Sequence, residues 1–542
     1  MFSKARYQTF AYYSSLSDQT RWEKDLDGLK ESGFSHLVLS QGLDLRTILS
    51  VEDQKQNLMA FLDLAHTRQI QCVLGVGNPK ELYLAPENKR WRSDYVSHVA
   101  EMLGAHPAVY ALLLEDAPTG GIQFSLERWK TVTSELEGRL EGVSLTEAGY
   151  QYAIKSWQME QYTVYISELV KAVKKVRSRL KCAISFHYNA LFPTDTLVHF
   201  QNTARSLDFV LIDAGLIPGT EPVRIRYLPR FLANVTTTLT DCEVWMVADG
   251  HIPSGQYDVV LREIREWMQE VCEQGVSAVG WRGWDDPDQS QRSSVQDSSM
   301  KVENLEQRTT IQGLSRIIVD RERQKAVSTP YTCLMPYDSF INRLPWLDCV
   351  ATGVTLGVHG QLALHYVSDS SLVGEEKLQK TRMLFTTPYP SGQSGVADRL
   401  MMFMERGGWI VATGSDFLMD EQVQLCATRR RLFGIQQESP RANEDRILIS
   451  NAGLPYLTDG TSLATAWNRI GLTELDDSVR VLGRWGDGVP AIVLRPLGKG
   501  GSLYIGTNPY QAALTRGNAA EWGQFFRSIA DSEWLKTQSG GK

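Results

Sequence analysis

Eight short apolar runs, each followed by a segment of helical period, succeed one another over the first 285 residues. The runs are YQTFAYYS (7–14), SHLVLS (35–40), QCVLGVG (71–77), VYALLLED (109–116), CAISFHYN (182–189), DFVLIDAG (208–215), EVWMVADG (243–250) and VSAVGWRGW (276–284). Parallel strands covered on both faces read as continuous apolar runs rather than as strict alternation. Between the runs the period changes. After Ser17 and Asp18, the residues Trp22, Leu26 and Leu29 stand at i, i+4 and i+7 on one helical face, and VEDQKQNLMAFLDLAHTR (51–68) is a second helix. Alternation of this kind predicts an α/β fold. Eight consecutive units favour closure into a (β/α)8 TIM barrel over an open doubly wound sheet. The stretch 122–181 is long and mostly helical, which predicts an elaborated connection after the fourth strand that walls the mouth of the barrel.

A chain of 542 residues exceeds one ordinary core, so a second domain is expected. Residues 285–312 are polar and serine-rich, and they read as a surface linker or a loop closing the barrel, with a helix over 314–325 after it. The expected division is therefore a barrel over 1–312 and a second domain over 313–542. In the second part the strand-like runs YTCLMPYDS (331–339), QLALHYVSD (361–369), TRMLFTTPYP (381–390) and WIVATG (409–414) alternate with helical segments. These predict a flavodoxin-like or glutamine-amidotransferase-like α/β domain. An amidotransferase needs a cysteine at the turn after TRMLFT and a histidine downstream. Thr387, Pro388 and Tyr389 stand at that turn and no histidine follows His365, so this domain is expected to be structural. Gly486-Asp487-Gly488 predicts a hairpin turn, and GKGG (498–501) a tight turn rather than a phosphate-binding loop.

Charge and cysteine usage limit the partners. A net charge of −7 gives no electrostatic footprint for nucleic acid or for an anionic membrane. The N-terminal residues lack a signal-peptide core, and no run approaches 18 apolar residues, so a cytoplasmic protein is expected. The seven cysteines include no CxxC pair, which reads as buried free thiols and not as a disulfide framework or a metal site. No cofactor is expected.

A (β/α)8 barrel gathers the C-terminal ends of its strands at one mouth, so acidic residues distant in sequence meet there. Glu115 and Asp116 close the fourth run, Asp213 the sixth and Asp249 the seventh. Strand-end carboxylates also cap helices or bind loop amides, and that plainer reading holds for each of them. Adjacent like charges at Glu115 and Asp116 would raise one pKa of the pair.

The segments HPAVYALLLEDAP (106–118), EVWMVAD (243–249), GLSR (313–316), MLFTTPYP (383–390) and RGGWIVATG (406–414), with the helical stretch 124–157, resemble the family 42 glycoside hydrolases and their clan A relatives. The resemblance implies a barrel joined to an amidotransferase-like domain that supports a homo-oligomer, a dimer or a trimer. It also implies cleavage of a terminal sugar from a short oligosaccharide or glycoside by two carboxylates, with retention. The clan ends its fourth strand Asn-Glu and its seventh with Glu, where this chain has Glu115-Asp116 and Asp249. The resemblance makes Glu115 the general acid/base, or Asp116 if the register shifts by one residue, and Asp249 the nucleophile or base. Retaining and inverting enzymes differ in carboxyl separation, so the shorter Asp249 bears on the stereochemistry.

Sugar recognition calls for flat apolar platforms and converging polar groups. The strand ends offer Tyr12; His187, Tyr188 and Asn189; His251; and Trp281, Arg282, Trp284 and Asp285. Strand alternation turns only about half of each cluster inward. Two other readings stay open. One is a metal-dependent hydrolase using His187, Asp213, Asp249 and His251. The other is a carbohydrate-binding barrel that has lost its chemistry.

Overall fold

The structure, a computed structural model, describes residues 6–13, 15–40, 45–77, 86–116, 147–191, 198–214, 227–249, 257–282 and 300–532, apart from short gaps after 319. Those gaps are 320, 322, 324–328, 338, 340–346, 370–371, 373–377, 393–394, 415, 421–424, 426, 442–443, 451–453, 467 and 516. The chain divides into two compact units, residues 1–139 with 157–326, and residues 140–156 with 327–542.

The first unit contains a closed barrel of eight parallel strands in sequence order. They are β1 (Gln8–Tyr12), β2 (His36–Leu39), β3 (Gln71–Gly75), β4 (Val109–Asp116), β5 (Lys181–His187), β6 (Phe209–Asp213), β7 (Glu243–Asp249) and β8 (Ala278–Arg282). Pairing of Phe10 with Gly280 belongs to the β1–β8 ladder that closes the ring. Gly280 is required there, because a Cβ at that position would overlap the Phe10 ring.

Alternate residues of the strands fill the interior: Phe10 and Tyr12, Ala111 and Leu113, Phe209 and Leu211, Trp245 and Val247. Trp245 is the largest of them. Its ring lies 4.3 Å from that of Phe209 and 5.1 Å from those of Phe10 and His36. Burial of each such side chain stabilises the barrel by about 1.5–3 kcal/mol. The same burial lowers the His36 pKa to about 4, so the ring sits neutral in the core.

Helices sheathe the barrel. The described part of the long fourth connection is the helix Glu147–Val176. Within the barrel unit Tyr162, Tyr165, Ile166, Leu169 and Val173 are buried at spacings of three and four, so this length of it is a layer helix against the strands. The helix Met300–Val319 begins inside the stretch that reads as linker in the sequence. Ile311, Leu314, Ser315 and Ile318 form its buried stripe, a helical period that the polar residues around it conceal.

The second unit is built on a nine-stranded sheet. Five parallel strands run in the order His365–Ser368, Tyr331–Met335, Met383–Thr386, Trp409–Thr413, Gly500–Ile505. Four more, Pro490–Leu497, Arg480–Trp485, Arg446–Ile449 and Ser462–Ala464, continue it antiparallel. Gly488, at φ +86°, lies in the hairpin turn that Gly-Asp-Gly predicts, and Gly498, at φ +59°, in the tight turn read from GKGG. Asp416 holds the C-terminal ends of the parallel strands together, accepting from Thr386 Oγ1 (2.5 Å), Tyr389 N (2.6 Å) and Thr413 N (2.7 Å).

Six described cysteines are free and five of them buried; Cys426 lies outside the described residues. Among the described residues no helix is long and apolar enough to cross a membrane.

Candidate functional site

The C-terminal end of β4 decides which acidic residue reaches the mouth. Against β5, Leu113 pairs with Ala183, but Glu115 pairs with the next residue, Ile184, and Asp116 with Ser185. One extra residue is thus accommodated in β4. A bulge of one residue reverses the faces of everything after it. Ala111 and Leu113 face the interior; beyond the bulge it is Asp116, not Glu115, that shares their side.

The side chains confirm the reversal. Glu115 is 3 % exposed and its Oε2 accepts a 2.8 Å hydrogen bond from Tyr162 Oη, on a sheathing helix. Burial pushes its pKa above the ordinary carboxylate value, while the Tyr162 hydrogen bond and the charge of Arg92 pull the other way. Arg92, on the helix Pro86–Leu103, donates to the carbonyls of Val76 (3.1 Å), Leu114 (3.1 Å) and Gly77. The guanidinium therefore stitches the ends of β3 and β4 to the helix layer. This corrects the assignment of Glu115 as the mouth acid. It also removes the expected coupling of two adjacent carboxylates, because Glu115 and Asp116 occupy opposite faces.

Asp116 lies in the mouth. Its Oδ2 accepts from Ser40 Oγ at 2.7 Å and its Oδ1 from Arg282 Nη2 at 3.4 Å. Arg282 Nε is 2.8 Å from Asp213 Oδ2, so one guanidinium stands between the carboxylates of β4 and β6. Its Cζ is 4.3 Å from the centre of the Tyr12 ring, a cation–π distance. Tyr12 Oη donates to Ser185 Oγ at 3.4 Å. Burial, and then the Asp116 charge, raise the Tyr12 pKa, so it stays a neutral phenol. Arg282, one of the strand-end groups offered for sugar recognition, already faces two carboxylates.

The remaining candidates separate. His187 is half-buried at the end of β5, paired in register with Asp213, and its ring lies 4.3 Å from that of Tyr188. Trp281 is fully buried and its Nε1 donates to Ser315 Oγ at 3.0 Å in the helix layer. It is a core residue and not a sugar platform, a correction that follows from its neighbour Arg282 taking the inward position. Asp249 ends β7 opposite Arg282 in β8, but its side chain lies outside the described residues. The Asn189 side chain, His251, Trp284 and Asp285 lie outside them too. Among the described residues no three His, Cys, Asp or Glu side chains converge as metal ligands.

Sequence reasoning missed Ser40 and Ser185. Each is a small polar residue near the end of an apolar run, the signal that singled out the carboxylates.

No protein-family model and no curated protein matches this sequence. Solved structures do. A β-galactosidase from Rahnella sp. R3 matches with a TM-score of 0.75 at 13% identity, over 98% of this chain and 89% of that one. A family 42 β-galactosidase from G. stearothermophilus matches with a TM-score of 0.74 at 13% identity, over 97% and 88%. An exo-β-1,4-mannosidase from an Opitutaceae bacterium matches with a TM-score of 0.65 at 12% identity, over 97% and 97%. At such identities the likeness is one of fold: this chain has the architecture of the family 42 β-galactosidases over nearly its whole length.

Proposed function

We propose that the protein is a glycoside hydrolase that cleaves a terminal sugar from a short oligosaccharide or glycoside with two carboxylates. The observation that carries this reading is the inward turn of Asp116 at the mouth, beside Asp213, Arg282 and Tyr12. Glycoside cleavage builds oxocarbenium-like charge at the sugar, which one carboxylate faces while its partner moves a proton to or from oxygen. Asp116 is the β4 carboxylate of this scheme and Asp249, at the end of β7, its partner. Asp213 and Arg282 hold Asp116 in place, and Tyr12, Ser40 and His187 supply polar contacts for sugar hydroxyls. Tyr188 lies next to them. The fold shared with β-galactosidases and an exo-mannosidase supports a carbohydrate substrate.

One feature favours a second reading, a sugar-binding barrel without turnover. Ser40 and Arg282 both donate to Asp116, so its two oxygens are already engaged by the protein itself.

A panel of aryl α- and β-glycosides separates the two. The hydrolase reading expects one sugar to be cleaved, and at least about a hundredfold loss of kcat/KM in both Asp116→Asn and Asp249→Asn. Tight binding of a sugar without turnover would establish the second reading. Turnover untouched by both substitutions would reject the carboxylate pair.

A further inference from the structure

The second unit contains a cavity of about 540 Å³ that none of the chemistry above uses. It lies where Thr381 and Arg382 lead into the strand Met383–Thr386 and where Gly407 and Gly408 lead into Trp409–Thr413. The helix Val396–Glu405 forms one wall. Open α/β sheets hold their ligands at the C-terminal ends of the strands. This cavity is at the opposite end, so it is no remnant of an amidotransferase centre.

Its lining is chemically one-sided. Lys380, Arg382, Arg399 and Arg406 contribute four cations, and no carboxylate lines it among the described residues. Leu372 and Phe403, both buried, give it an apolar floor. The Nε and Nη2 atoms of Arg382 are buried and have no hydrogen-bond partner among the described residues. Lys380 and Arg399 likewise form no ion pair among the described residues. Buried guanidinium N–H groups without an acceptor are costly, and an anion seated against them would supply what the protein does not. The volume is in the range of small-molecule sites and too small for a folded partner.

We infer that this cavity binds a small amphipathic anion, with a phosphate or carboxylate head against Arg382, Arg399 and Lys380 and an apolar body over Leu372 and Phe403. The head meets the unpartnered donors while the body covers the floor, so neither half alone satisfies the site. The inference does not depend on the proposed glycosidase chemistry.

Isothermal titration of the full chain with octyl phosphate, octanoate, inorganic phosphate and 1-octanol tests it. Octyl phosphate or octanoate should bind at one site, and whichever binds tighter identifies the head group. Inorganic phosphate and 1-octanol should each bind at least about tenfold more weakly. Arg382→Gln should weaken the bound anion about tenfold or more, the size of one charge-assisted hydrogen bond. Arg399→Gln, on the helix wall, provides the same readout if Arg382→Gln fails to fold. Octanol binding as tightly as octyl phosphate would overturn the inference. So would an affinity unchanged by Arg399→Gln and Arg382→Gln, or no binding of either octyl anion at millimolar concentration.

Discussion

Glu115 and Asp116 are neighbours in sequence, carry the same charge and differ by one methylene, yet they live in different media. Glu115 is enclosed between β4 and the sheathing helices, with Tyr162 donating to it and Arg92 close by. Asp116 lies in the partly open mouth between Ser40 and Arg282. The first is a structural carboxylate, whose removal leaves a buried tyrosine hydroxyl without its acceptor. The second is the carboxylate that the proposed chemistry uses. Residue type alone does not distinguish them; the side of the barrel wall does.

The largest expected contrast is in stability. Glu115→Ala leaves the buried Tyr162 hydroxyl without its acceptor and opens a cavity beneath the helix layer, and should cost about 3 kcal/mol. Asp116→Ala, in the more solvated mouth, should cost about 1 kcal/mol or less. Denaturant unfolding of the two variants, followed by tryptophan fluorescence, measures the difference. Equal losses would mean that the two faces are not distinct.

Turnover should show the reverse order. Asp116→Asn is expected to lower kcat/KM at least about a hundredfold, while Glu115→Gln stays within about fivefold of wild type. An inactive Glu115→Gln beside an active Asp116→Asn would make Glu115 the carboxylate of the reaction.

A smaller effect sharpens the helix-side half. Tyr162→Phe removes one hydrogen bond to a buried carboxylate and should destabilise by about 1–2 kcal/mol, with KM unchanged. A shift in KM would show that the Tyr162–Glu115 contact reaches the mouth.

The smallest effect is in pH dependence. The folded pKa of Glu115 lies above its ordinary value because of burial. A carboxyl raised in this way favours the folded state while protonated, and that contribution fades as pH rises through the folded pKa. Melting temperatures of wild type and Glu115→Gln should therefore converge, or cross in favour of Gln, as pH rises from the ordinary carboxylate value through the raised folded pKa. A gap that widens against Gln over that range would show an ionised, fully paired Glu115.

Much of the fold was legible because its signals are local. Apolar runs eight times over, separated by helical periods, leave few architectures open, and the closed barrel is the one observed. The turns at Gly488 and Gly498 were legible for the same reason, since positive φ selects glycine. The helix Met300–Val319 was hidden because its buried stripe is narrow and set in a polar, serine-rich context. Trp281 illustrates a different limit. Strand alternation shows that only one of Trp281 and Arg282 faces inward, without saying which, and the pairing of Arg282 with Asp116 and Asp213 answers it.

The sequence by itself determined that acidic residues would stand at the ends of barrel strands, because apolar runs must end where the mouth meets water. It did not determine which of two adjacent acids faces the mouth. That rests on a one-residue bulge between Leu113 and Glu115, set by how β4 pairs with β5. A side-chain period of two makes one residue the whole difference between the inside of the barrel and its helical sheath.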